Sequence, residues 1–301
     1  MSIQSNYWKG AFLVFGSAFG FALKGVFIKA AYRYGIDTIS LLSLRFLFST
    51  PFYLAIILRE RLYEVTHPTI SKLTWLHLFW VGVLGYYFAS YFNFLGLNYI
   101  TASLERILLF VYPTFVLIIS TVLIKKKITK LQWLALTITY LGILIAFLEN
   151  IDTSQQKDIS LGAFWVILSG FIYAFYLIGS EKLITQLGTT RFTCWAVLSA
   201  FVPTLIHCYV QNGLAIFNFP AEVYWISLAM AIFSTVLPTF MISEGIKRVG
   251  PSNASIIASI GPIFTIILAT TFLGETLSLV QIFGTLLVLF GVFLISWKGK
   301  K

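Results

Sequence analysis

Lys24, Arg45, Glu105 and Arg106 stand inside otherwise apolar runs of the chain. An ionisable group in a bilayer core costs at least about 2.5–3.5 kcal/mol, so each should face a bundle interior and find a partner there. Their types define the chemistry open to them. Lys24 and Arg106 suit a substrate carboxylate or phosphate, whereas Glu105 suits an amine or a coupling proton. The structural alternative is a salt bridge between the helices that carry them. Glu105 is the only acidic residue well inside a run, so it pairs with Lys24, Arg45 or Arg106, or it is protonated. Successive helical residues point about 100° apart, so Glu105 and Arg106 cannot both face one neighbour. Arg45 lies about 12 Å along its helix from the end at Asp37 and is assigned to intramembrane pairing. Glu105 and Arg106 lie about 8 Å inside theirs, and Lys24 lies past the middle of the first.

Other polar groups are candidates for the same interior. Tyr87, Tyr91 and Phe94 share a face at helical spacing, and mid-depth tyrosine hydroxyls need partners; the bland reading is packing or lipid contact. Ser252, Asn253, Ser255 and Ser259 cluster on the ninth apolar run, where small residues also serve close helix approach. Asn253 and Ser259 join the candidate substrate-binding set. Gly16 and Gly20 form a packing motif. Pro113, Pro238 and Pro262 free carbonyls mid-membrane and are candidate hinges, since such kinks survive where they are buried or line a cavity.

The elements that hold these residues follow from composition. Of 301 residues, 58% are hydrophobic and 11% charged, against about 25% charged in soluble domains. Mean hydropathy is +0.89. The reading is an all-α polytopic membrane protein in contact with the lipid bilayer. Runs of about 20 apolar residues fall at 10–31, 38–58, 74–96, 100–124, 129–148, 160–180, 191–211, 222–243, 251–273 and 278–297. The first is too long for the roughly 7–15-residue core of a signal peptide and reads as a retained span. The net charge of +10 sits in short loops, which argues for topology and against nucleic acid. One side collects Lys9, Arg59, Arg61, Lys72, Lys125–Lys127, Lys130, Lys182, Arg191, Lys247, Arg248 and the C-terminal lysines; the other holds Lys29, Arg33 and Lys157. Both termini are therefore expected in the cytoplasm.

Several functions are set aside. His67, His77 and His207 are isolated, so no metal site is expected. Cys194 and Cys208 lie about 21 Å apart along one helix, too far to bridge. No phosphate-binding G-x-x-x-x-G-K-[ST] segment occurs, and no loop is long enough for a nucleotide-binding domain. No cofactor is expected. A membrane-embedded enzyme would need convergent His, Asp or Glu groups near one interface, and a scaffold or receptor would not need what comes next.

The chain repeats itself. At an offset of 149, Ser103 meets Ser252, Pro113 meets Pro262, Gln132 meets Gln281 and Gly142 meets Gly291; at an offset of 152, Gly10-Ala11-Phe12 meets Gly162-Ala163-Phe164 and Ser17 meets Ser169. Five runs per half is odd, so the second copy must enter the membrane from the opposite face. Inverted repeats around a midplane site are a transporter architecture. Under the second offset Tyr176 is the counterpart of Lys24, so the two are expected to face each other across a pseudo-two-fold axis.

In order and spacing, several segments resemble the EamA-like family of the drug/metabolite transporter superfamily. They are Phe27-Ile28-Lys29 with Ser43-Leu44-Arg45-Phe46, Tyr173-Ala174-Phe175-Tyr176 with Glu181-Lys182, and Val249-Gly250-Pro251-Ser252 with Gly274-Glu275-Thr276 and Gly284…Gly291. The resemblance covers nearly the whole chain and implies two five-helix repeats, residues 1–150 and 151–301. It further implies an inner-membrane carrier that moves small metabolites, often outward. Where the second half has Gly274-Glu275-Thr276, the first has Lys125-Lys126-Lys127, which suit a cytoplasmic anchor. The expected ligand is a small-molecule substrate, amino-acid-like or anionic, with a proton as candidate coupling ion; a homodimer is compatible with all of this.

Overall fold

A computed structural model describes residues 3–62, 71–124, 129–153, 158–249, 254, 257–258 and 260–297. Asn253 and Ser259, with Ser252 and Ser255, lie outside the described residues. Among the described residues the chain is helical, without strands. The elements are α1 (Ile3–Tyr32), α2 (Thr38–Leu62), α3 (Lys72–Tyr99), α4 (Ala102–Ile124, in two pieces), α5 (Lys130–Thr153), α6 (Ile159–Leu187), α7 (Thr189–Asn212), α8 (Ala221–Val249), α9 (Gly261–Leu273) and α10 (Leu279–Trp297). Seven helices, α1–α4 and α6–α8, contain stretches long and apolar enough to cross a membrane; α5, α9 and α10 carry shorter apolar stretches. The chain is thus a polytopic membrane protein. Its outward faces fit lipid, with Phe12, Trp133, Phe164, Trp225 and Phe283 all exposed.

Local chemistry sets the helix ends. Asp37 accepts from the Ile39 and Ser40 amides at 3.1 and 3.0 Å and starts α2. Ser71 does the same for α3 through Thr74, and Thr101 for α4 through Leu104, both at 3.1 Å. Each satisfies an amide that the first helical turn leaves without a partner. Gly35, at φ 76°, closes the turn between α1 and α2, a left-handed conformation that costs a glycine little.

Interruptions inside the helices recur in step with the sequence repeat. α4 breaks at Phe110–Val111, where amides reach back three residues instead of four, and Pro113 opens its second piece. The apolar run 100–124 is therefore two helical pieces rather than one, because proline has no amide to donate. A tight turn at Ile260 likewise precedes Pro262 at the start of α9. In α3 the backbone widens to π-type bonding over Val83–Phe88, and in α8 over Ile232–Val236, two residues before Pro238. Pro51 and Pro203, also a constant 152 apart, sit within the otherwise continuous helices α2 and α7.

The packing has the same pattern. α1 lies on α8 and α6 lies on α3; α2 lies on α7, and α5 on α10. The buried Ser17 hydroxyl donates to the Pro238 carbonyl at 2.9 Å, and the buried Ser169 hydroxyl to the Ala89 carbonyl at 2.7 Å. These two bonds map onto each other under the two offsets. So do the crossings at Gly245 against Gly10 and Val14, and at Gly96 against Gly162 and Val166. Small residues there let backbones meet, which is how helices associate where hydrophobic burial offers no drive.

Candidate functional site

The interior polar cluster is built by α1, α3 and α4. Lys24 Nζ donates to Asn93 Oδ1 at 2.9 Å, and Asn93 Nδ2 donates to Glu105 Oε1 at 2.5 Å. The ammonium lies 4.0 Å from the same carboxylate oxygen, with the Lys24 side chain 21% exposed and that of Glu105 1% exposed. Asn93 thus bridges cation and anion, one amide serving both. Glu105 Oε2 is buried and has no hydrogen-bond partner among the described residues. A buried acceptor of that kind is expensive unless a donor reaches it or the carboxyl is protonated.

Arg106 points elsewhere, as the 100° step between helical neighbours requires. Its Nε donates to Thr265 on α9 at 3.0 Å, and an Nη to the Phe21 carbonyl on α1 at 2.9 Å. Arg106 therefore joins α4 to α1 and α9, while Glu105 joins α4 to α3 and α1. Both cationic side chains are part-buried.

Arg45 belongs to neither arrangement. It is buried, donates to Ser90 Oγ at 3.1 Å, and holds its guanidinium 4.9 Å from the Phe46 ring centre and 5.1 Å from that of Phe94. Its intramembrane partners are a hydroxyl and two aromatic faces in place of Glu105. Arg45→Lys removes the planar contact to both rings and is expected to lower thermal stability by about 1–2 kcal/mol, measured as the shift in unfolding temperature in detergent.

Tyr87 and Tyr91 gather around His207 of α7. The Tyr87 hydroxyl lies 2.8 Å from His207 Nδ1, and the Tyr91 and His207 rings are 5.1 Å apart. Tyr176 is not brought to Lys24. Its hydroxyl donates to Tyr86 at 3.3 Å and its ring stacks on Tyr173 and Phe192, while the Lys24 ammonium is taken by Asn93 and Glu105. The proline at 113 sits at the break in α4, Pro262 in the first turn of α9, and Pro238 buried under Ser17.

A cavity of about 460 Å³ is lined by residues 4 to 9 positions along the chain from Lys24, Asn93 and Glu105, together with two residues at and just after the end of α9. Lys29 and Tyr32 come from α1 and Arg33 from the turn after it, Leu97 and Asn98 from α3, Thr101 from the start of α4, Leu273 from the end of α9 and Glu275 from the loop that follows. Glu275 accepts from the Ala102 amide at 2.7 Å, the Ser103 amide at 3.1 Å and the Ser103 hydroxyl at 2.7 Å. Its carboxylate thereby ties the loop after α9 to the N-terminus of α4, where the helix dipole favours a negative charge.

The EamA-like transporter family model matches residues 8–148 and again residues 160–297. The chain belongs to the EamA-like transporter family. Curated relatives agree with that membership. The chain is 30% identical over 281 residues to the uncharacterized transporter YcbK of Bacillus subtilis, covering 91% of this chain and 88% of that one. It is 24% identical over 220 residues to the uncharacterized transporter YyaM of the same organism, covering 72% and 71%. A transporter of Synechocystis, sll1319, also uncharacterized, is 26% identical over 205 residues, covering 68% of this chain and 62% of that one. One crystal structure aligns with a TM-score of 0.65 over 95% of this chain and 97% of that one at 13% identity, a likeness of fold alone.

Sequence reasoning did not assign Asn93, Thr265, Ser90 or His207 to these clusters. Asn93 carried a signal, since an amide inside an apolar run needs four hydrogen-bond partners' worth of company. Ser90, Thr265 and His207 carried none, because single hydroxyls and rings of this kind occur on packing faces throughout the chain.

Proposed function

We propose that this protein is a secondary carrier that moves small polar metabolites, amino acids or related compounds, across the cytoplasmic membrane by alternating access, chiefly outward. The observation that carries the reading is the Lys24–Asn93–Glu105 bridge beside Arg106. An ammonium, a half-satisfied carboxylate and a guanidinium held within one bundle interior match the two ends of a zwitterion. Once the helices part, a substrate amine can donate to Glu105 Oε2, and a substrate carboxylate can accept from Lys24 or Arg106. Intramembrane ionisable groups mark substrate and proton paths, and Glu105 is the group suited to carry a coupling proton.

Alternating access is supported by the doubling of the family match and by the paired contacts. The Ser17–Pro238 and Ser169–Ala89 bonds, the π-type turns at 83 and 232 and the breaks before Pro113 and Pro262 fit two five-helix halves of opposite orientation, ten spans in all, with both termini cytoplasmic. Each half then rocks on the other around the midplane, with the interrupted helices α4 and α9 as hinges. Carriage of an anionic metabolite, by uptake or exchange, is the second reading; the excess of cations among Lys24, Lys29, Arg33 and Arg106 favours it.

Flux in proteoliposomes, screened over amino acids, nucleotides and organic acids, tests the proposal. The wild-type protein is expected to transport at least one zwitterionic compound, with Lys24→Ala reducing the rate at least about tenfold, the equivalent of about 1.4 kcal/mol. Transport of no compound in the screen, or undiminished transport by Lys24→Ala, would remove this site assignment.

A further inference from the structure

We propose that the cavity lined by Lys29, Tyr32, Arg33, Asn98, Thr101 and Glu275 is a vestibule that selects a small anionic group, a carboxylate, and that Lys29 is the selecting residue. Charge accounting leads there. Two cations and one anion line the cavity. Glu275 has both oxygens engaged by the Ala102 and Ser103 donors. Arg33 donates to the Leu273 carbonyl at 3.2 Å, at the end of α9. The Lys29 ammonium, half-buried in the last turn of α1, is attracted by Glu275 and repelled by Arg33, yet among the described residues it makes neither a hydrogen bond nor an ion pair within 4 Å. The carbonyl end of a helix supplies a cation with only a modest attraction, whereas a charge drawn out of water wants a full partner. The Thr101 hydroxyl is spent as an acceptor by Leu104 but keeps its hydrogen, so a second donor faces the same space.

The location gives this selectivity a use. Lys24 lies five residues before Lys29 on α1, and Arg106 five residues after Thr101 on α4. At 1.5 Å per residue each step is about 7.5 Å, a length over which a carboxylate passes from one cation to the next. That handover rests on the carrier reading; the charge preference of the vestibule does not.

The test needs no known substrate. Asn98 is exposed and lines the cavity, and both native cysteines are buried, so the unsubstituted chain serves as the blank. Asn98→Cys is reacted with anionic sulfonatoethyl and cationic trimethylammonioethyl methanethiosulfonate, and the ratio of rates is normalised to a free thiol and to Gln186→Cys. The ratio is expected to favour the anionic reagent, to fall at least about threefold in Lys29→Gln at low ionic strength, and to persist in Lys29→Arg. A ratio that favours the cation, or that Lys29→Gln leaves unchanged, overturns the proposal. Should Lys29→Gln fail to fold, Asn98→Cys alone decides. Glutarate then slows its reaction with neutral methyl methanethiosulfonate while equimolar glutaramide does not; equal protection, or none, overturns it. Charge preference without flux would remove the carrier reading and keep the vestibule, and flux without preference would do the reverse.

Discussion

Glu105→Gln is expected to abolish transport while leaving a folded protein, with flux in proteoliposomes falling about a hundredfold or more. The substitution keeps the shape of the side chain and an oxygen to accept from Asn93 Nδ2 at the bridging position. It removes the charge 4.0 Å from the Lys24 ammonium and with it the group proposed to receive a substrate amine. Breaking a buried ion pair from one side costs about 3–5 kcal/mol, and the 21% exposure of Lys24 places this pair below that range. A second variant separates support from function. Lys24→Met with Glu105→Gln removes both charges, so thermal stability is expected to recover toward wild type while flux does not. Wild-type flux in Glu105→Gln would reduce the pair to a structural tie between α1, α3 and α4.

Gly96→Ala and Gly245→Ala are expected to destabilise the protein equally, by about 1–3 kcal/mol each, read as lowered unfolding temperature and lost monodispersity in detergent. A methyl at Gly96 would sit 2.5 Å from Val166 Cγ2 and 2.9 Å from the Gly162 carbonyl oxygen; one at Gly245 would sit 2.5 Å from Val14 Cγ2 and 3.1 Å from the Gly10 carbonyl oxygen. Backbone cannot yield as a flexible side chain does, so the helices must part. Gly261→Ala is the control, since nothing among the described residues lies within 4 Å of its added methyl, and it is expected to change less than either. Equal losses at 96 and 245 fit one crossing used twice; a loss at one alone would count against equivalent halves.

Most of the fold was legible because its signals are chemical and repeated. The apolar runs fall on α1–α10, seven of which are long and apolar enough to cross a membrane, and the prolines at 113 and 262 predicted interruptions that fall immediately before them. The π-type turn at Ile232–Val236 lies just before Pro238, a named candidate kink, whereas the one at Val83–Phe88 has no proline to announce it; it packs against α7 and α6. The cluster was legible only in part. That Lys24, Glu105 and Arg106 face the interior follows from the expense of charge in lipid, but the choice of Lys24 over Arg45 as the partner of Glu105 depends on helix rotation, which composition leaves open. Asn93 sat unremarked among aromatics whose spacing drew attention to Tyr87 and Tyr91. The pairing of Lys24 with Tyr176 followed from symmetry alone; the Tyr176 ring packs against Gly85 of α3 and its hydroxyl donates to Tyr86.

The opposed orientation proposed for the two halves can be tested with two cysteines. Tyr34 and Gln186 are exposed, lie in or beside the turns that follow α1 and end α6, and correspond under the 152 offset. With the buried Cys194 and Cys208 replaced by alanine, Tyr34→Cys should react with a membrane-impermeant maleimide in intact cells, and Gln186→Cys only after permeabilisation. Labelling of both from the same side would contradict antiparallel halves and the alternating-access mechanism built on them.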